Sequence, residues 1–527
     1  MIAARDAQGA AELAEGIRSA SIASVIDVVG GADSVLVTYD PLATGPPEIE
    51  DTLSSVITRR KPRIARTLAF DTCFDGPDLA EVGNLSGLGS DGVRRALLAS
   101  PLRVSFIGFS PGFAYLSGLP RALRRVGRRA APRLSVPAGS LALGGGHAAF
   151  YPGGTPGGWH IVGRTAASLF DPDSPPYALL RVGDQVRLRE VPPSAVPPIT
   201  PMAPIQHVSV GVPSLVVEEN GWYTTFQDRG RPGWAHLGVP YSGAADPVSY
   251  ALANALVGNS PDAVCLEVTA TGPVLRALAP VHVALVGAGA EITVDGRTVG
   301  SERVVPVGAG QRLRIGLTGR SLRCYLAVAG GFDALRVLGS CSSDRLSGLG
   351  PALIRSGDQL YVFESAGPMA DHLLPGSPGQ EQPPPVRRLR AVPFGPQPAN
   401  GWRAALFDRP LLVGQSSDRI GIRLQPATGA PLVGSGQELP SAGTTVGTVQ
   451  LPPSGLPVVL SVDHATLGGY PVGAVVASAD ISVLGRLRPG EAIQLSEVDQ
   501  VEALDALQKL RRAVAGAAVG RYPSRTG

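Results

Sequence analysis

The sequence predicts a mainly β protein, with several β-domains in tandem behind a small α+β module. Three observations predict it. Gly 67 and Pro 49 make up more than a fifth of the 527 residues, while only 17% are charged. Glycine and proline punctuate strands and are costly inside helices, so this composition belongs to a turn-dense, β-rich chain. A Gly-Asp/Glu turn entering an alternating strand occurs at Leu180–Arg189, recurs at Ile354–Phe363, and returns more loosely at Leu487–Ser496. Each copy lies just before a proline-rich stretch or the C-terminal tail, so it reads as the closing strand of one of three related β-domains.

The elements follow in order. Ala7 to Ala20 and Glu48 to Arg59 have helical spacing, Ser34–Leu42 and Arg66–Phe74 read as strands, and Asp78–Leu85 and Asp91–Ala99 as short helices. We assign 1–95 to the α+β module and 96–191 to the first β-domain. Proline-rich segments at Val191–Ile205 and Leu374–Val386 read as semi-rigid linkers, which places the next domains at 207–373 and 387–527. From Glu497 to Arg511, apolar Val498, Val501, Leu504 and Leu507 or Leu510 predict an amphipathic tail helix.

Bulk properties exclude several functions. A net charge of +3 without basic runs interleaved with aromatics gives no nucleic-acid footprint. The short runs Arg59-Arg60-Lys61 and Arg124 to Arg129 read as solvated surface. Neither a membrane span nor an apolar leader segment is apparent, so cytoplasm is the default. Cys73, Cys265, Cys324 and Cys341 form no C-x-x-C pair and are expected reduced and buried. Lys61 and Lys509 are the only lysines, and neither follows glycine, which excludes a Walker A loop. The same scarcity excludes a biotin-attachment lysine and serine–lysine amidase chemistry. The seven histidines show no zinc spacing, and no metal site is expected.

The run Thr225–Asn259 has neither helical nor strand periodicity before about Asp246. It sets Gln227, Asp228, Arg231 and Asp246 among glycines and prolines, as a rigid polar site on a loop requires. The alternative for each Asp is a turn or helix cap. Gln227-Asp228, Gly230-Arg231, Gly238-Val239-Pro240, Ser242-Gly243-Ala244, Asp246, Gly258-Asn259 and Leu266-Glu267 together resemble the allophanate hydrolase subunit 2 family. Phe106–Pro120, then Arg133, Val136–Ser140, Tyr151-Pro152, Pro156–Trp159 and Gly163–Thr165, resemble allophanate hydrolase subunit 1. The chain therefore resembles a fusion of both, and the resemblance implies tandem cyclophilin-like barrels.

Four constellations carry candidate chemistry. The first is the aromatic loop around Phe109, equally a core plug. The second is Arg133 with His147, Trp159, His160 and Arg164. Arg164 is a fork for phosphate or carboxylate, or else a structural ion pair. His147 stands where glutamine is common. The third is Gln227, Asp228, Arg231, Asp246 and Glu267. The fourth is Asp418-Arg419, Gln450, and Asp463 to Pro471 with Thr466, resembling the subunit 2 pattern apart from His464-Ala465. Its polar edge suits an anion, or is a capped turn.

The resemblance implies part of an ATP-dependent 5-oxoprolinase that acts with a LamB/YcsF-like partner on a small-molecule substrate. ATP and Mg²⁺ are then co-substrates, with no bound cofactor. Asp228, Arg231, Asp246 and Asp463 are the catalytic candidates. Substrate or nucleotide contact is expected of Gln227, Glu267, Arg419, Asp418, Gln450, Thr466, Phe109, Arg133 and Arg164. The alternatives are the carboxyltransferase component of a urea carboxylase-type system and a non-catalytic regulator of a histidine kinase. Homo-oligomerisation stays open. We expect the third and fourth constellations to share one cleft between domains, within about 15 Å, with Phe109 and Arg164 facing it.

Overall fold

The computed structural model describes residues 1–57, 65–197, 199, 209–287, 289–364, 384–394, 401–427 and 439–519. Residues 198 and 200–205 of the first linker, 374–383 of the second, and the Arg59-Arg60-Lys61 run lie outside the described residues.

The N-terminal module is a three-stranded antiparallel sheet, Ile2–Ala3, Ser34–Tyr39 and Val25–Gly30, with Ser34–Tyr39 in the middle. The helix Ala7–Ser19 buries Ala10, Leu13, Ala14 and Ile17 against Val28 and Val35 of the sheet. Asp6 starts that helix by accepting the Gly9 N–H at 2.8 Å, a side-chain N-cap. A second helix, Pro46–Ile57, completes the module.

The first barrel begins earlier than the composition suggests. Thr67–Thr72 pairs in parallel with Gln185–Glu190 in a seven-stranded sheet, and the chain edges meet where Cys73 and Arg164 exchange backbone hydrogen bonds at 2.9 and 2.8 Å. The helices Leu79–Ser86 and Gly89–Ala99 pack Val82, Val93 and Leu97 into the same core as Phe70 and Leu188. Residues 67–99 thus sit with the barrel and not with the module, so the division at 95 moves to the gap before Thr67. The cause is a pairing across 118 residues, which no local pattern announces.

The second domain stacks a seven-stranded sheet on a five-stranded one around a core that includes Leu215, Leu266, Leu285, Leu313 and Leu326. The last is a closed seven-stranded barrel from Val386–Pro393 to Ala492–Glu497. Its first and last strands again pair in parallel, Val386 with Ala492 through Ala391 with Glu497. The repeated turn has one chemistry in all three domains. Asp184, Asp358 and Glu491 each accept the N–H three residues back, at 2.9, 2.6 and 3.1 Å, and the glycine between has φ of 87–93°. Glycine is required there because L side chains seldom take that φ. The fold is therefore mainly β, with closed and nearly closed barrels in tandem.

The tail forms the helix Gln500–Val519. Ala503, Leu504, Ala506 and Leu507 face inward, while Val501, expected on the buried face, is 74% exposed. The helix lies against both its own barrel and the helix Pro247–Leu256 of the preceding domain, which rotates the apolar stripe away from Val501. All four cysteines are buried.

Candidate functional site

Three motif loops from three domains meet at one junction. The first-barrel loop after the strand Leu102–Ile107 donates the Gly112 N–H to the Leu237 carbonyl at 2.8 Å. A Cβ on Gly238 would collide with the Ser110 carbonyl, and one on Gly108 would collide with Leu467 Cδ1. Between the second and third barrels, Ser242 N–H donates to the Val462 carbonyl at 2.8 Å and Ser242 Oγ donates to Asp463 Oδ1 at 2.9 Å. These glycines are present because the chain passes too closely across domain boundaries to leave room for a side chain.

Behind the junction lies a buried charge network. Arg419 Nε donates to Asp463 Oδ2 at 2.8 Å and its Nη2 to Oδ1 at 2.9 Å. Its Nη1 reaches Glu267 Oε1 at 2.6 Å and its Nη2 also meets the Gly243 carbonyl at 2.8 Å. Glu267 Oε2 accepts from Tyr325 Oη at 2.6 Å and from the Ala245 N–H at 2.9 Å. Tyr325 Oη in turn accepts the Asp246 N–H at 2.8 Å. Asp246 caps the helix Pro247–Leu256 through the Ser249 N–H at 3.0 Å and pairs with Arg486 at 2.6 Å. The two constellations expected to share one cleft are therefore bonded directly to each other, but the bonded residues are buried in this network and no member of either constellation lines the cleft described below.

Burial opposes each of these charges. For Glu267, Arg419 and Arg323 outweigh it and hold the carboxyl below its usual range. Arg486 does the same for Asp246. The Arg419 guanidinium is held well above its ordinary value by Asp463 and Glu267 despite complete burial. Asp344 behaves oppositely. It is 4% exposed, and burial with the neighbouring Asp463 charge pushes it up to about 6.

Asp228 sits at the centre of a second loop, accepting from Ser340 Oγ, Ser342 Oγ, Cys341 N–H and Gly230 N–H at 2.5–2.8 Å. Gln227 donates to the Ser343 carbonyl at 3.0 Å, and Arg231 to the carbonyls of Val337 and Ser342. These groups lace the loops 227–246 and 337–350 together. Each carboxylate in the network already has protein partners, so the network fixes shape and charge and does not present free groups to solvent.

Open space lies beside it. A cleft of about 1610 Å³ runs between the helix Ala7–Ser19, the first barrel and the turn Ala235–Leu237. Phe106, His147, Tyr177, Trp234 and His236 supply an aromatic lining, and Arg18, Arg103 and Arg181 supply cations. His236 stacks on Trp234, and burial lowers its pKa to about 4, so it is neutral at physiological pH. Phe106, on the strand that leads into the first-barrel junction loop, and Leu237, which accepts from Gly112 in the junction, both line the cleft, so it adjoins the junction. A large cavity at a domain seam with a few converging polar groups is the usual form of a small-molecule site.

The remaining sequence candidates lie apart from the cleft. Phe109 packs edge-on against Phe113, centroids 5.2 Å apart, inside the first-barrel aromatic cluster. Arg133 pairs with Asp78 at 2.8 Å. Arg164 pairs with Asp75 at 3.0 Å and holds the Val196 carbonyl, tying the barrel to the start of the linker. Neither Phe109 nor Arg164 faces the cleft, because each is committed to its own barrel. Exposed Asp418 accepts the Ile420 N–H at 2.9 Å as a turn cap. Gln450 and Thr466 are buried behind the junction, where Gly468 passes close to the Gln450 amide. His464 lies between Thr444 and the Ala465 carbonyl, its pKa lowered by burial. Arg323, Tyr325, Asp344 and Arg486 were missed. Asp344 alone had a local signal, a Cys-Ser-Ser-Asp run rich in hydroxyls beside glycines.

Comparison with known proteins agrees with this layout. Residues 237–497 match the family described as carboxyltransferase domain, subdomain A and B, and residues 1–180 match carboxyltransferase domain, subdomain C and D. The chain is 36% identical over 305 residues to the C-subunit of the 5-oxoprolinase of Escherichia coli, 56% of this chain and 96% of that protein. It is 49% identical over 112 residues, 21% of this chain, to the B-subunit of the 5-oxoprolinase of Escherichia coli O157:H7, covering 51% of it. A Saccharomyces cerevisiae urea amidolyase is 30% identical over 294 residues, 52% of this chain and 16% of that much longer protein. The crystal structure of TTHA0988 superposes with a TM-score of 0.83 at 34% identity, covering 93% of this chain and 96% of that one.

Proposed function

Because the chain belongs to the carboxyltransferase-domain family, with its C/D part and its A/B part in one polypeptide, we propose that it is a fused pair of 5-oxoprolinase subunits. The reaction is the ATP-dependent opening of 5-oxoproline to L-glutamate. The observation that carries this reading is the match along 96% of a 5-oxoprolinase C-subunit, joined in one chain to a segment similar to half of a B-subunit.

An unstrained lactam resists water. Transfer of the γ-phosphoryl group of ATP to the lactam oxygen makes that oxygen a leaving group. Water then adds to the ring carbon and the C–N bond breaks, the nitrogen leaving as the amine, which leaves an acyl phosphate. A second water hydrolyses it to the γ-carboxylate and phosphate. Such chemistry is catalysed mainly by positioning and by charge stabilisation. In this reading the cleft takes the small carboxylated ring. Arg103 and Arg181, which line open space, meet the anionic groups. Arg231 and Arg419, spent on protein acceptors, position the junction. Asp228, Asp246 and Asp463 act with them as positioning groups. In this reading Mg²⁺ enters with the nucleotide phosphates, which supply most of its ligands. A LamB/YcsF-like partner completes the enzyme.

The urea amidolyase relative supports a second reading, in which the chain is the carboxyltransferase component of a urea carboxylase-type system. Substrate choice separates the two. ADP release by the chain with its LamB/YcsF-like partner should be stimulated by 5-oxoproline and not by urea. Carboxylation of urea by the chain when a carboxybiotin-bearing carrier is supplied, with no ADP release on 5-oxoproline, would establish the second reading.

A further inference from the structure

We propose that Asp27 is a positioning residue for the cleft: it is the carboxylate by which the N-terminal module clasps the Gly233–Leu237 turn of the other half of the chain. Asp27 lies on the strand Val25–Gly30 and is 8% exposed. Its Oδ2 accepts the Gly233 N–H at 2.8 Å and its Oδ1 accepts the Ala235 N–H at 3.1 Å, across more than two hundred residues of chain. A carboxylate receiving two backbone N–H groups fixes both the position and the tilt of the segment that carries them. That segment leads directly into Trp234, His236 and Leu237 on the cleft wall, and then into Gly238 against Ser110.

The surroundings point the same way. The module touches the third barrel as well: Ala32 N–H donates to the Ser441 carbonyl at 2.7 Å, and Val29 packs with Phe106 and Leu467. The clasp is therefore the polar centre of a junction at which one small module meets loops of all three β-domains. The charged and titratable groups facing Asp27 are Arg18 from the helix Ala7–Ser19 and Tyr241 from the junction loop, while His236 of the same turn is held by the Gly233 carbonyl. Arg18 is itself engaged by Glu15 and the Val28 carbonyl, and no arginine forms an ion pair with Asp27 among the described residues. The carboxylate's partners are thus the two amides of the turn, a specific arrangement for a group whose burial is otherwise costly. The activity consequence rests on the function proposed above, whereas the clasp itself does not.

Amide hydrogen exchange on the full-length chain at pH 7.5 tests it, with Asp27→Asn and Asp27→Ala compared with Asp33→Ala on the same module. Asp27→Ala removes both acceptors and should speed exchange across 233–237 by tenfold or more. Asp27→Asn keeps one acceptor and should give an intermediate increase, while Asp33→Ala leaves the segment unchanged. In the 5-oxoproline assay Asp27→Ala should raise KM more than it lowers kcat. Unchanged exchange at 233–237 in both Asp27 variants would overturn the clasp, as would a rise spread evenly over the module and the first barrel. Altered exchange with an unchanged KM would leave the clasp standing but overturn its positioning role for the cleft, whereas a wild-type chain without activity on 5-oxoproline would count against the proposed function alone.

Discussion

Arg419 of the last barrel grips Asp463 through two nitrogens, at 2.8 and 2.9 Å, and reaches Glu267 of the preceding barrel at 2.6 Å. One guanidinium thus joins two domains by neutralising a carboxylate in each. Removing one partner of a buried pair leaves the other charge uncompensated, which costs about 3–5 kcal/mol. Arg419→Met should lower stability by at least that amount in urea denaturation, because two carboxylates are stranded. Arg419→Lys should recover part of the loss, since it restores charge without the fork.

Asp246 was legible as a polar residue on a motif loop, and such a residue would cost activity and little stability. The geometry reverses that expectation. Asp246 is fully buried, caps a helix and pairs with Arg486. Asp246→Asn keeps a capping oxygen but loses the ion pair, so we expect a clear fall in Tm by calorimetry. The effect has a pH signature. The folded carboxyl is held below its ordinary value, chiefly by Arg486 acting against burial. Its stabilisation is therefore present above about pH 4 and lost as pH falls further, and the difference between wild type and Asp246→Asn should shrink in acid.

Asp344 should behave in the opposite sense. Its folded pKa of about 6 lies above the ordinary 3.8 because burial disfavours the charge. Its stabilising contribution is complete below about pH 4 and lost as pH rises through 6. At pH 8 the buried charge costs on the order of 2–3 kcal/mol. Asp344→Asn should raise Tm at pH 8 and leave it nearly unchanged at pH 4. A lower Tm at both values would contradict this.

Gly238 has φ +80°, and a Cβ there would press on the Ser110 carbonyl. Gly238→Ala combines a strained backbone with an overpacked contact, together about 2–4 kcal/mol. Melting curves should show the loss, whereas Gly310→Ala, also at positive φ but in open space, should cost only the backbone part.

The sequence held the barrel count and the meeting of distant motifs. The closing strands share a Gly-Asp/Glu turn whose hydrogen bond is local, so three copies could be read directly. The motif loops were visible because backbone contact demands glycine and buried charges demand partners. Three things were not visible. The parallel strand Thr67–Thr72 finds its mate 118 residues away, which local spacing does not encode. Tyr325 and Arg323, from one regular strand, and Arg486, from a helix end, complete the charge network, where polar residues look ordinary. The aromatic cleft assembles Phe106, Tyr177 and Trp234 from three separated segments. Motif arginines drew attention as anion ligands, and the structure spends them on carbonyls and carboxylates of the fold.

The central claim is that the two halves act as one 5-oxoprolinase component. The most direct measurement is glutamate and ADP release from 5-oxoproline and Mg²⁺–ATP, by the purified chain with and without a LamB/YcsF-like protein, the partner proposed above. Little turnover is expected of the chain alone, and coupled release, one glutamate per ADP, when both proteins are present. Full activity of the chain by itself, or no glutamate under any Mg²⁺–ATP condition with both, would refute a shared 5-oxoprolinase role.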